Sequence, residues 1–206
     1  MRKAKVLFAL TLLGLGAMLT ASFHIQGYNI GDRVADFNLK NIDGKMISLK
    51  SNPNAKGYMV IFTCNHCPYA IAYEDRIIAL HNKYAPKGYP VLAINPNDVK
   101  KEPSDSFEKM QERAKEKGFP FPYLIDETQE VAKAFGATRT PHVFLLQKKG
   151  DDFVVAYIGA IDDSAKDPSK VKEKYLENAV EALLKGKNVP VSTTKAVGCT
   201  IKWKDA

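Results

Sequence analysis

The chain has 206 residues, 45% of them hydrophobic and 26% charged. That suits one well-packed domain with appendages and excludes an intrinsically disordered protein. The formal net charge is +7, but beyond residue 22 it falls to +4, 27 Lys+Arg against 23 Asp+Glu, because Arg2, Lys3 and Lys5 drop out. The other lysines mix with acids, as in KMQERAKEKG, and no basic run is interleaved with aromatics, so no nucleic-acid partner is expected.

At the N-terminus the basic MRKAK precedes an uncharged apolar stretch, Val6 to Leu19, and then the small residues TAS. This is the three-part layout of an export signal over residues 1–22. The apolar run is short for a membrane span, which takes about 20 residues. A cut after Ser22 is weakly marked, so an uncleaved N-terminal membrane anchor is the alternative. Both readings place the protein in the cell envelope, periplasmic or secreted. Disulfides persist there, and a lone CxxC is then a redox pair or a metal clip rather than a stapling framework.

A domain is expected over residues 30–185. Alternating runs around Asp43-Gly44 predict a β-hairpin. GYMVIF (Gly57 to Phe62) is continuously apolar, as for a strand buried on both faces. Tyr73, Ile77, Leu80 and Tyr84 then recur at helical spacing. YPVLAIN is a second buried strand. DSFEKMQERAKEKG is a helix, with Asp105 and Glu108 read as its capping pair and Gly118 as its stop. FPYLID (a short strand) and TQEVAKAFG (a short helix) follow. TPHVFLLQ and FVVAYIG form an antiparallel pair, and KVKEKYLENAVEALLKGK is the last helix. Parallel strands with crossover helices, closed by a hairpin, make an α/β domain. The tail, residues 186–206, has no periodicity. It carries Cys199, with Ile201 and Trp203 as its expected anchors.

The chemistry centres on FTCNHCPYA. A strand running into CxxC and then a helix places Cys64 at a helix N-terminus, where unpaired N–H groups favour a thiolate. Cys67, less exposed, lies within disulfide reach. The outer thiolate attacks a partner disulfide and the inner thiol resolves it. A protonated His66 would favour the thiolate further. Downstream, a Thr140–Pro141 bond in the cis form would make a turn whose free backbone groups can pair with an extended substrate.

With these elements in place, residues 30–184 resemble the redoxin (AhpC/TSA) superfamily of thioredoxin-fold proteins. TCNHCPYAIAYEDRI, AINPNDVKKEPSDSFEKM, FPYLIDETQEVAKAFGA, TPHVFLL, GAIDDS and GCTIKWK resemble its peroxiredoxin-like thioredoxin proteins. The resemblance implies a three-layer α/β/α thioredoxin-like fold with an N-terminal β-hairpin extension and an inserted helix. It gives Cys64 the attacking role, Cys67 the resolving role and Pro141 the place of the cis-proline, with Thr140 before it. Two family features are missing. Thr63 stands where thioredoxins have Trp, and GYMVIF holds no buried acid, which leaves Glu74 as a guessed proton acceptor. The peroxidatic Pro-x-x-x-Thr-x-x-Cys pattern is also absent. Arg139 is a candidate for lowering the Cys64 pKa. Cys199 is a third thiol, able to trap or protect Cys64, or else a packed small hydrophobe.

The leading function is therefore an exported thiol–disulfide oxidoreductase. Its expected partners are protein disulfides or thiols and an envelope electron donor. A peroxiredoxin-like thiol peroxidase with antioxidant activity is the alternative. Copper or zinc binding by Cys64, Cys67 and His66 or His142 ranks last, since CxxC gives two soft ligands and a closed zinc site takes four. No cofactor and no resident metal are expected.

Overall fold

The computed structural model describes residues 27–205. The export-signal segment, residues 1–22, lies outside the described residues.

Eight strands form one mixed sheet in the order β1-β9-β8-β4-β5-β6-β2-β3. They are β1 (Arg33–Val34), β2 (Leu39–Asn41), β3 (Met46–Ile47), β4 (Gly57–Phe62), β5 (Val91–Asn95), β6 (Tyr123–Ile125), β8 (His142–Lys149) and β9 (Asp152–Gly159). A second, two-stranded sheet pairs β7 (Arg139–Thr140) with β10 (Cys199–Thr200). β4, β5 and β6 run parallel, while β8 pairs antiparallel with β4 and β9 antiparallel with β8. The parallel strands are joined by α1 (Pro68–Tyr84) and α2 (Phe107–Lys117), the crossovers such strands require. α3 (Glu130–Phe135) and α4 (Tyr175–Leu184) complete the helices.

Alternation along β4 sorts the core into two layers. Met59 and Ile61 face Tyr73, Ile77, Leu80 and Tyr84 of α1, Met110 of α2 and Leu176 and Val180 of α4. Tyr58, Val60 and Phe62 face the opposite layer, with Ala132 and Phe135 of α3 and the N-terminal arm. Helices thus cover both faces, the α/β arrangement expected from the sequence. The hairpin at Asp43-Gly44 forms, with Gly44 at φ 86°. The arm also does something its pattern does not announce. β1 pairs with β9 at one edge of the sheet, and β2 then pairs with β6 at the other.

Two local readings need correction. The cap of α2 is Ser106, whose side chain accepts the Lys109 N–H at 3.3 Å; Asp105 precedes the cap and is buried. Glu74 lines the crevice beside Cys64, but its carboxylate is taken up by an ion pair rather than left free as a proton acceptor. Arg113 of α2 grips it from Nε and Nη2 at 2.8 and 2.7 Å, a buried bidentate ion pair that ties α2 to α1.

Phe135 meets Tyr28, Phe37, Phe62 and Phe144 edge-on, at centroid distances of 5.2, 6.2, 5.4 and 5.1 Å. Replacing Phe135 by Ala should cost about 3–5 kcal/mol, the range for emptying a buried aromatic site. Urea denaturation with an unchanged m-value checks this; a loss under about 1 kcal/mol would show the layer re-closing over the gap.

Candidate active site

The two central strands bring the chemistry together. β4 ends at Phe62, opposite His142, the first residue of β8. Whatever follows β4 therefore meets whatever precedes β8: Cys64 on one side, Thr140 and Pro141 on the other. The Thr140–Pro141 peptide bond is cis, as the sequence suggests.

Thr140 touches both cysteines of the CxxC. Its hydroxyl lies 3.2 Å from Cys64 Sγ and its carbonyl oxygen 3.2 Å from Cys67 Sγ. Cys64 is not the helix start. Cys67 is the N-cap of α1 and Pro68 the first helical residue, so Cys64 sits three residues ahead of the cap. The backbone N–H groups of His66 and Cys67 and the Thr140 hydroxyl still favour a thiolate on Cys64. They are outweighed. Burial, followed by the negative charge of Asp105, pushes the Cys64 thiol up to about 12. Cys64 is only 3% exposed. The crevice beside it, between Phe119, Phe121 and Tyr123, has a volume of about 10 Å³, enough for roughly one water molecule.

The tail packs against the cysteine cluster through Cys199. β10 pairs antiparallel with β7, placing Cys199 opposite Thr140 and Thr200 opposite Arg139. Cys199 is disulfide-bonded to Cys67, with Cα atoms 6.0 Å apart, and Cys64 remains a free thiol. The tail cysteine thus comes to the inner cysteine, whereas the sequence suggests a guard for the outer one. Ile201 is buried and Trp203 packs on the same layer as Phe135, so both expected anchors hold the tail down.

Asp105 is the functional residue that sequence reasoning misses. Its side chain, fully buried, accepts from the Asn65 backbone N–H, from His66 Nδ1 and from Asn97 Nδ2, each at 2.7 Å. It fixes the loop between the cysteines. His66 is turned to carboxylates: Nδ1 to Asp105, and Nε2 3.6 Å from Glu102. Arg139 donates from Nη1 to the Gly198 carbonyl at 3.0 Å, so its contact is with the tail rather than with a sulfur. His142 accepts from the Thr138 N–H at 3.3 Å, and burial lowers its pKa to about 4.

Among the described residues, ligand atoms of Cys64, His66 and Asp105 lie within 4.8 Å of one another. The Asp105–His66 hydrogen bond already engages two of these groups, and Cys67, one of the expected metal ligands, is held by Cys199. This set would have to give up its mutual contacts to hold an ion.

The chain is similar to several known proteins. An uncharacterized conserved protein from Geobacillus kaustophilus has a crystal structure matching at 38% identity and a TM-score of 0.80, over 88% of this chain and 95% of the other. The thiol-disulfide oxidoreductase ResA of Geobacillus thermodenitrificans is 29% identical over 150 residues, 70% of this chain and 80% of that protein. A thiol:disulfide interchange protein DsbE from Chlorobium tepidum shares the fold alone, at 19% identity and a TM-score of 0.57, over 76% of this chain and 98% of the other. The relatives support an oxidoreductase, on a thioredoxin-like fold. Residues 30–157 match the AhpC/TSA family model, and the chain belongs to that family.

Proposed function

We propose that the protein is a thiol–disulfide oxidoreductase of the cell envelope, acting on protein disulfides or thiols with Cys64 as attacking and Cys67 as resolving cysteine. One observation carries this: three cysteines converge on Thr140 and the cis bond to Pro141, one of them free and two in a disulfide. The likeness to ResA and the basic–apolar–small layout of residues 1–22 support the reading of activity and location. Among the described residues no helix is long and apolar enough to cross a membrane.

The chemistry is a series of sulfur exchanges. With the tail released and the cysteines reduced, the Cys64 thiolate attacks one sulfur of a substrate disulfide. A mixed disulfide forms, and the other substrate sulfur leaves as a thiolate and takes a proton from water. The Cys67 thiolate then attacks Cys64 Sγ, giving the Cys64–Cys67 disulfide and freeing the second substrate thiol. The substrate gains two electrons and the pair loses two. Attack of the Cys199 thiolate on Cys67 Sγ breaks Cys64–Cys67, makes Cys67–Cys199 and returns Cys64 as a thiol, the state seen in the structure. An envelope electron donor resets the protein by reducing this bond.

The direct test is insulin reduction with dithiothreitol. Wild type should precipitate insulin well above background, and Cys64→Ser and Cys67→Ser should fall to the uncatalysed rate. Wild-type activity equal to that of both variants would sink the proposal. Peroxide consumption at a catalytic rate by the same preparations would favour the peroxidase instead.

Asp105 yields a second prediction. Its anion disfavours a second negative charge on Cys64, and only the thiolate alkylates. Removing the charge in Asp105→Asn should lower the Cys64 pKa by about one unit. Below that pKa, the disulfide-closed variant should therefore react with iodoacetamide about tenfold faster than wild type at the same mildly alkaline pH. Equal rates would show that burial alone sets the reactivity of Cys64.

A further inference from the structure

The tail lies in a groove with two polar walls. On one side, the Thr138 carbonyl accepts the Ile201 N–H at 3.3 Å, Arg139 holds the Gly198 carbonyl, and Thr140 pairs with Cys199. On the other, the Asp98 N–H donates to the Lys202 carbonyl and Asn97 Oδ1 accepts the Lys202 N–H, both at 2.8 Å. Gln129 completes this wall. It is buried and left-handed, at φ 62°, which a side chain other than Gly rarely adopts. Its amide nitrogen donates to the Lys202 carbonyl at 2.9 Å, and its amide oxygen accepts the Lys204 N–H at 2.8 Å.

These bonds read the tail's main chain, so they would serve any extended peptide. Selectivity lies in the side chains. Cys199 reaches the CxxC, Ile201 is buried and Trp203 packs on the core, while Thr200 and Lys204 are exposed, the alternation of a strand docked by one face. Gly198 is the tightest fit. A Cβ there would stand 2.6 Å from the Thr140 carbonyl carbon and 2.9 Å from the Pro141 nitrogen, and closer still to the Thr140 oxygen. The obstacle is the Thr140–Pro141 backbone rather than a flexible side chain, so a Cβ there would force something to shift.

We propose that residues 198–203 are an internal copy of the protein's partner: the groove binds extended peptides of the form Gly-Cys-x-aliphatic-x-aromatic, and the tail closes it until the Cys67–Cys199 bond is exchanged. This rests on the oxidoreductase reading for its chemistry, though not for the binding itself. The exchange needs no outside oxidant or reductant when Cys64 is the attacker. Its thiolate displaces Cys199 from Cys67, the Cys67–Cys199 bond breaks as Cys64–Cys67 forms, and Cys199 takes up the proton that Cys64 gave to water. The tail is then held only by its non-covalent contacts and can be displaced.

Release is wired to the cysteine loop. Asn97 accepts the Lys202 N–H on one side and donates to Asp105 at 2.7 Å on the other, and Asp105 accepts from Asn65 and His66. A peptide with the same main-chain pattern would restore these hydrogen bonds.

The test uses the full chain and a fluorescein-labelled peptide, AVGSTIKWK, in which Ser replaces Cys to prevent covalent capture, with AVASTIKWK as control. Anisotropy titrations compare the disulfide-closed wild type, the same protein reduced with dithiothreitol, and Gly198→Ala. The reduced protein and Gly198→Ala should bind AVGSTIKWK at least about tenfold more tightly than the closed form, a difference of about 1.4 kcal/mol. Both should bind AVASTIKWK at least about tenfold more weakly than AVGSTIKWK. Equal binding to closed and open forms, indifference to the Gly-to-Ala change, or no binding to any form would each overturn the proposal. Because no catalysis is measured, inactivity toward insulin leaves this result standing, and insulin activity without peptide selectivity defeats only the groove.

Discussion

Thr140 is the residue on which the site depends. Its hydroxyl faces the outer cysteine, its carbonyl faces the inner one, its backbone sets the register of the tail, and the cis bond to Pro141 ends the pairing. All of this follows from its position, held at the mouth of β8 by pairing of the central strands. Phe62 opposite His142 fixes where β7 ends, and that in turn fixes where any extended chain must lie. The contacts to the sulfurs and the pairing with the tail are therefore not separate designs. One residue's side chain and main chain carry both.

The same closeness disfavours a thiolate on Cys64 in the observed state. Two N–H groups and a hydroxyl around Cys64 would stabilise a thiolate in an open site. Low-dielectric burial and the nearby Asp105 charge reverse the balance, because a charge gains less from three donors than it loses with its water. Inner and outer cysteines are thus protected in different ways. Cys67 is held in a covalent bond, while Cys64 stays a free thiol kept neutral by its surroundings. A thiol of that kind gains reactivity from exposure alone, without any change in its covalent state.

Much of this is legible in the sequence, and the parts that are not share a cause. The strand GYMVIF, the α1 stripe of Tyr73, Ile77, Leu80 and Tyr84, and the turns at Gly44, Gly118 and Gly136 announce themselves because local periodicity and backbone preference agree with the fold. The cysteines and Pro141 are recognisable from their places beside such elements. Asp105 is easily misread because PSDSFEKM offers two frames for a cap, and the capping-pair pattern favours Asp105 with Glu108. What decides for Ser106 is tertiary: Asp105 is drawn inward by the Asn65, His66 and Asn97 donors, which lie far from it in sequence or across a loop. The tail strand is invisible for the same reason. β10 is two residues long, its partners come from β7 and the Asn97–Gln129 wall, and no periodicity arises from pairing of that length. Nearness in sequence or on a helix points Arg139 and Glu74 toward the sulfurs, whereas their actual partners come from elements distant in the chain.

Coupling between the tail and the cysteine loop runs through buried polar groups, and this gives it consequence. Asn97 and Asp105 are buried with the tail docked, so both rely on protein partners for their hydrogen bonds in this state. The Asn97 amide joins the two sides, with Oδ1 accepting the Lys202 N–H and Nδ2 donating to Asp105. The same Asp105 carboxylate holds Asn65 and His66, on the loop that positions Cys64. Linkage makes the effect reciprocal: whatever the tail does to the cysteine loop, a change of bonding at the cysteines does to the affinity of the groove, and by the same free energy. The disulfide exchange and the opening of the groove are in that sense a single equilibrium seen from two ends.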